Sequence, residues 1–224
     1  AEHLRWAERA DRLGRDVERL EGRIKGRTES LARQFDRVLR VLEAWGYVDG
    51  WSLGEAGSLL ASTYSESDLL VCESVREGLL AGLDAPSVAA LASCFTYETR
   101  GPAGTAPSAP SRWPSGKLRD RFLRIERIWR DLEAAERDAG LPSTRSPDPG
   151  FIVSAHRWAS GRDLEDVLEG AELTGGDFVR NTKQLIDLLR QLAEVAPDQA
   201  TGAAARLAVR SLFRGVVAAS GTVN

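Results

Sequence analysis

From Leu13 onward, apolar residues return every three or four positions, and this spacing recurs along most of the chain. Leu13, Val17, Leu20 and Ile24 step by four, three and four, and Leu31, Phe35, Val38, Leu42 and Trp45 continue the pattern. Leu118, Phe122, Ile125, Trp129 and Leu132 repeat it, as do Leu185, Leu188, Leu189, Leu192 and Val195. Residues three and four apart share one face of a helix, so a chain of this kind buries helix stripes against one another. The expected class is all-α: an irregular multi-helix bundle of eight or nine helices, with an N-terminal stalk helix and at most one short hairpin.

Local punctuation places the elements. The phase slips between Ile24 and Leu31, where Gly22 and Gly26 also weaken a helix, so residues 1–30 read as the end of an interrupted stalk helix. Gly46 closes that helix, and the alternation from Tyr47 to Leu53 around Asp49–Gly50 is where a hairpin fits. Ser67 and Asp84 are N-cap residues for helices over Ser67–Leu80 and Ala85–Tyr97, with Pro86 suited to a first turn. Residues 99–114 carry four prolines and form a linker or surface loop. They separate a first helical half, residues 31–98, from a second, residues 115–224. The second half is expected to hold helices over Gly116–Ala139, Phe151–Ala159, near Leu164–Glu169, from Thr174 to about Val195, and a last one over Thr201–Ala219.

Composition excludes several functions. At 224 residues, 42% hydrophobic and 28% charged, the chain can fill a sizeable core. Its net charge of −3 provides no global basic field, so any nucleic-acid contact must come from a local cluster. Cys72 and Cys94 sit in apolar runs and read as core residues; with His3 and His156 scattered, they make no metal site. No run approaches the ~20 apolar residues of a membrane span and no signal peptide opens the chain, which reads as cytoplasmic. The absence of Met and an opening in mid-helix read as a fragment of a longer protein.

Catalytic signatures fail one by one. There is no G-x-x-x-x-G-K-[ST], H-E-x-x-H, G-x-S-x-G or G-x-G-x-x-G, and the Gly22–Thr28 stretch has the wrong spacing for a phosphate loop. Glu165 and Asp166 lie on a short amphipathic helix and read as its solvated face. No catalytic residue and no cofactor is expected within this chain.

Two stretches resemble a known family. Residues 35–100 (FDRVLRVLEAWGYVDGWSLGEAGSLLASTYSESDLLVCESVREGLLAGLDAPSVAALASCFTYETR) are similar to the start of the C-terminal helical, DSHCT-type domain of exosome-associated superfamily-two DExH helicases. Shared features are the Gly-Tyr pair, an acidic-Leu-Leu helix, and a helix ending in Cys-Phe with a glutamate after it. Residues 156–194 (HRWASGRDLEDVLEGAELTGGDFVRNTKQLIDLLRQLAE) match a second motif, Trp-Ala-x-Gly followed by a Gly–acid turn and a long helix, and residues 205–220 look like the family's final helix. The opening segment resembles the returning arch helix of the actinobacterial, HelY-type members. The resemblance implies a parent enzyme that uses ATP and Mg in two RecA-like domains outside this chain to unwind RNA, or DNA, in the 3′→5′ direction. This domain would close over the RecA pair and contact the exiting single strand, and an RNA-degradation nuclease would be a further partner.

The long helix from Thr174 is the best strand-contact candidate on the residues themselves. Arg180, Lys183, Gln184, Asp187 and Gln191 form a polar stripe opposite the leucines, beginning one turn inside a helix N-terminus, where the macrodipole favours phosphate. Trp158 could stack a base, but its neighbours Phe151, Ile152 and Ala155 place it in the core. The family resemblance adds Glu98 as the glutamate after Cys-Phe. It also puts Gln184 where relatives carry an arginine, a departure that leaves Arg180 and Lys183 as nearby cations. A carboxylate beside a nucleic acid acts through base or 2′-OH hydrogen bonds, because phosphate repels it.

Two other function classes compete with this one. A protein-interaction scaffold would dock a nuclease or other partner without strand contact and would show a large apolar surface patch. A DNA-binding regulator is suggested only by the wing-like Tyr47–Gly54 stretch, since no adjacent helix carries a basic reading face.

Overall fold

Helix ends follow the glycines. The structure, a computed structural model, describes residues 30–99, 109–171 and 173–220. The expected stalk segment before residue 30 and most of the proline-rich loop lie outside the described residues. Helix α1 occupies residues 30–44 and stops at Gly46, whose φ of 75° is open only to a residue without Cβ. There the Tyr47 N–H donates to Leu42 O (2.8 Å) and the Gly46 N–H to Glu43 O (3.0 Å). This pair of bonds satisfies carbonyls that the helix end would otherwise orphan.

The hairpin exists and is minimal. Strand β1 (Val48–Asp49) pairs antiparallel with β2 (Ser52–Leu53), in the register Val48↔Leu53 and Asp49↔Ser52. Its central residues are therefore Gly50 and Trp51 rather than Asp49 and Gly50. Only Gly50 has positive φ, as a type II′ turn requires.

Among the described residues nine further helices follow. They are α2 (Glu55–Ala61), α3 (Asp68–Arg76), α4 (Ala85–Thr96), α5 (Gly116–Asp138), α6 (Ile152–Ala159), α7 (Leu164–Leu168), α8 (Gly175–Val195), α9 (Gln199–Leu212) and α10 (Gly215–Ala219). The class is all-α, as the periodicity requires. Asp84 caps α4 through a bond from the Ser87 N–H (3.0 Å), whereas Ser67 stands at the N-cap of α3 without using its side chain. Helix α4 lies at the centre, against α6, α8 and α9. Its residues 88–95 are buried all round, and four of them are Ala or Ser, small enough for three neighbours to approach closely. On α5, Leu118, Phe122, Ile125 and Leu132 are buried; Trp129 is half-buried, with its indole N–H bonded to Thr144 O at 2.9 Å.

The last expected helix is two helices. Residues 213 and 214 interrupt it because Arg214 serves Trp158: its guanidinium lies 3.5 Å from the centre of the indole and donates to Trp158 O (2.8 Å). Gly215, at φ 49°, brings backbone against the same ring, where a Cβ would stand 3.2 Å from Cη2. These contacts replace a continuous helix that the sequence alone favours.

Both cysteines are buried, and removal from water disfavours the thiolate. Burial pushes the Cys72 thiol up to about 11 and raises Cys94 well above its ordinary value. Because the thiolate is the reactive form, the folded chain is expected to give no Ellman's reaction at pH 8. Both cysteines should react within minutes in concentrated guanidinium; rapid reaction of the native chain would contradict this burial. Among the described residues, no group of His, Cys, Asp or Glu could hold a metal ion, and no helix is long and apolar enough to cross a membrane.

Candidate nucleic-acid interface

Helix α8 supplies one wall of the site. Thr174 caps it: its hydroxyl oxygen accepts from the Asp177 N–H (3.1 Å) and its O–H donates to Asp177 Oδ2 (2.7 Å). Phe178, Leu185, Leu188, Leu189 and Leu192 are buried, which fixes the rotation of the helix and turns Arg180, Gln184 and Asp187 outward.

The second wall is the chain leaving α4. Two groups from the segment after α5 pin it. The Arg145 guanidinium donates to the carbonyls of Phe95 (2.9 Å) and Tyr97. Asp148, only 2% exposed, accepts from the Thr99 N–H (2.6 Å) and the Gly150 N–H (2.8 Å), while its own N–H donates to Cys94 O (2.9 Å). The Tyr97 ring stacks on Phe151 at 5.5 Å. Glu98 is thereby held at the surface between two anchored residues, on a segment that is not helical.

The third wall is the loop between α2 and α3. The Tyr64 N–H donates to Gln191 Oε1 across 2.7 Å, tying this loop to α8. Thr63 beside it is buried and donates to Leu59 O at 3.0 Å.

These walls enclose an open cleft of about 720 Å³. Glu98, Arg180 and Gln184 come together in it, although 82 residues separate the first two in sequence. Lys183 is not among its lining residues. One position before Gln184 on the helix, it is turned aside, and its ammonium donates to Ser220 O (3.1 Å).

The cationic stripe expected on α8 does not form as a phosphate rail. Arg180 pairs with Asp177 one turn earlier (3.5 Å), and Asp187 pairs with Arg190 (3.2 Å). Among the described residues, the cleft is lined by the cations Arg145 and Arg180 and by the carboxylates Glu66, Glu98 and Asp187, which together carry a slightly negative charge. Side-chain amides of Asn181, Gln184 and Gln191 complete a surface rich in hydrogen-bond acceptors. Such a surface suits base edges and sugar hydroxyls better than phosphates.

Sequence reasoning missed Tyr64, Arg145 and Asp148. Tyr64 stands in the polar run Ser62–Glu66 with no periodic signal, and Arg145 and Asp148 act from a loop distant in sequence from what they hold. Trp158 is a core residue: it is 2% exposed, its Nε1–H bonds Leu212 O (2.9 Å), and it meets the Phe178 ring edge-on at 5.2 Å.

The structure is thus a helical bundle with a polar cleft along one long helix. The chain belongs to the DSHCT (NUC185) domain family, which residues 51–220 match. It is 37% identical over 228 residues to Probable helicase HelY of Mycobacterium tuberculosis (strain ATCC 25618 / H37Rv), covering 97% of this chain and 25% of that protein. Probable helicase HelY of Mycobacterium leprae (strain TN) is 38% identical, with 96% and 25% covered. Exosome RNA helicase MTR4 of Homo sapiens is 23% identical over 158 residues, with 70% and 15% covered. The chain thus spans about a quarter of the length of its HelY relatives. The resemblance read from the Gly-Tyr, Cys-Phe and Trp-Ala-x-Gly motifs is borne out.

Proposed function

We propose that this chain is the C-terminal accessory domain of an ATP-dependent DExH helicase that unwinds RNA, and that its cleft contacts the single strand while the domain closes over the RecA-like core. The observation that carries this reading is the convergence of Glu98, Arg180 and Gln184 in one cleft of a DSHCT-family chain. ATP and Mg would be bound by RecA-like domains of the parent, and the nuclease of an RNA-degradation assembly is the partner class that fits. With few cations in the cleft, strand binding should depend weakly on salt, since each neutralised phosphate adds only about 0.7 to the salt slope for single strands.

Fluorescence anisotropy with single-stranded RNA and DNA at two salt concentrations tests this. Micromolar binding with a shallow slope is expected, weakened severalfold by Arg180→Ala and unchanged by Lys183→Ala. Absence of binding at low salt, or a steep slope removed by Lys183→Ala, would overturn the cleft assignment.

One observation favours an additional docking role. On α1 and the hairpin, Leu31 (66% exposed), Phe35 (49%), Trp51 (89%) and Leu53 (63%) present apolar surface, and the Phe35 and Trp51 rings stack at 6.1 Å. Exposed apolar surface of this kind marks a place where another protein surface packs, and the remaining domains of the parent are its natural occupant.

A further inference from the structure

A cleft that holds a polyanion without a surplus of cations must hold it by the bases. Of the two cations among its described lining residues, Arg145 already uses both terminal nitrogens on main-chain carbonyls, and Arg180 pairs with Asp177. Glu66 and Glu98 take part in no hydrogen bond or ion pair among the described residues, and they would repel phosphates brought close. The affinity must then come from stacking and from hydrogen bonds to base edges and sugar hydroxyls, and stacking needs an exposed flat ring.

Among the described residues, the lining contains two aromatics, Tyr64 and Phe95. Phe95 is 2% exposed and belongs to the core, whereas Tyr64 is 80% exposed. Its backbone is nevertheless fixed, by the bond from its N–H to Gln191 Oε1 on one side and by the buried Thr63 on the other. A ring presented by an anchored backbone loses little freedom when a partner covers it, which favours binding over a mobile side chain. Tyr64 has only two side-chain torsions to fix, and its hydroxyl remains free to stay in water.

We infer that Tyr64 is the base-stacking residue of this cleft: one base of the single strand lies on its ring, while the acceptor-rich wall of α8 and Glu98 faces the base edge. This inference rests on the proposed strand-contact role of the cleft. It accounts for a feature that the polar stripe on α8 leaves unexplained, namely how an acidic cleft retains a strand.

The test compares a short deoxyadenosine oligomer with an abasic oligomer of the same length, which keeps every phosphate and lacks every base. Binding to the whole chain is read for the native sequence, Tyr64→Ala, Tyr64→Phe and Arg180→Ala. The native chain is expected to prefer the base-bearing strand by about tenfold, the scale of one stacked base. Tyr64→Ala should remove most of that preference and leave abasic binding unchanged, while Tyr64→Phe keeps it. If the preference survives Tyr64→Ala while Arg180→Ala weakens binding, the cleft contacts the strand but Tyr64 does not stack, and the inference is overturned alone. If the native chain binds neither oligomer, the strand-contact reading and the inference fall together. Unchanged circular dichroism and unfolding midpoint for Tyr64→Ala would show that the effect is one of contact, as expected for a ring so exposed.

Discussion

Replacing Trp158 by Ala is expected to cost about 3–5 kcal/mol, enough to remove a large part of a stability that for a domain of this kind is about 5–15 kcal/mol. Three interactions meet at this residue. Its ring is buried in an edge-to-face pair with Phe178, its indole N–H donates to Leu212 O at the end of α9, and its face carries the Arg214 guanidinium. Truncation leaves a cavity where α6, α8 and α9 meet, takes from Leu212 O one of its two donors (the Arg214 N–H, at 2.9 Å, remains), and removes the surface against which the α9–α10 turn is formed. Trp158→Phe should recover much of the packing but not the hydrogen bond. Urea denaturation followed by circular dichroism would show the midpoint falling in the order native, Phe, Ala. A loss below about 1 kcal/mol for Trp158→Ala, the size of an ordinary surface change, would contradict the account of this junction.

The second large effect is expected for Asp148→Ala. This side chain is buried and accepts from the N–H groups of Thr99 and Gly150 in half-buried bonds, and a fully buried donor left without its acceptor would cost about 1–3 kcal/mol. Because water can partly reach both donors, the expected loss for the pair is about 1–3 kcal/mol. The effect should also be local: amide exchange at Thr99 and Gly150 should accelerate more than exchange at the centre of α4. Because Glu98 sits between the anchored Tyr97 and Thr99, strand binding should weaken even under conditions where Asp148→Ala remains folded. Asp148→Asn keeps one acceptor oxygen and should fall between the two. Slow exchange at Thr99 in Asp148→Ala would show that Arg145 alone holds this segment.

Much of the architecture could be read without coordinates, because it is written in short-range patterns. The leucine spacing of α8 fixed which face is buried, and Thr174, Asp84 and Gly46 cap or close helices as their side chains, or the lack of one, dictate. The hairpin was legible from alternation, although its turn is centred one residue later than the Asp-Gly pair implied. The break at residues 213–214 was not legible, since Arg214 answers to an indole 56 residues earlier in the chain.

The candidate site divides in the same way. Glu98, Arg180, Lys183 and Gln184 were nominated by motif and helical position, and sequence alone determined that the last three lie on the polar side of one helix. Only the tertiary structure decided that Glu98, Arg180 and Gln184 share a cleft while Lys183 turns to Ser220. It also decided that Arg180 has a carboxylate neighbour and that Tyr64 stands at the cleft bound to Gln191. The physical reason is range. Periodicity and caps are set by residues within about two helical turns, so a sequence displays them directly. The charge and shape of a cleft depend on which distant segments meet, and that is settled only when the core around α4 closes.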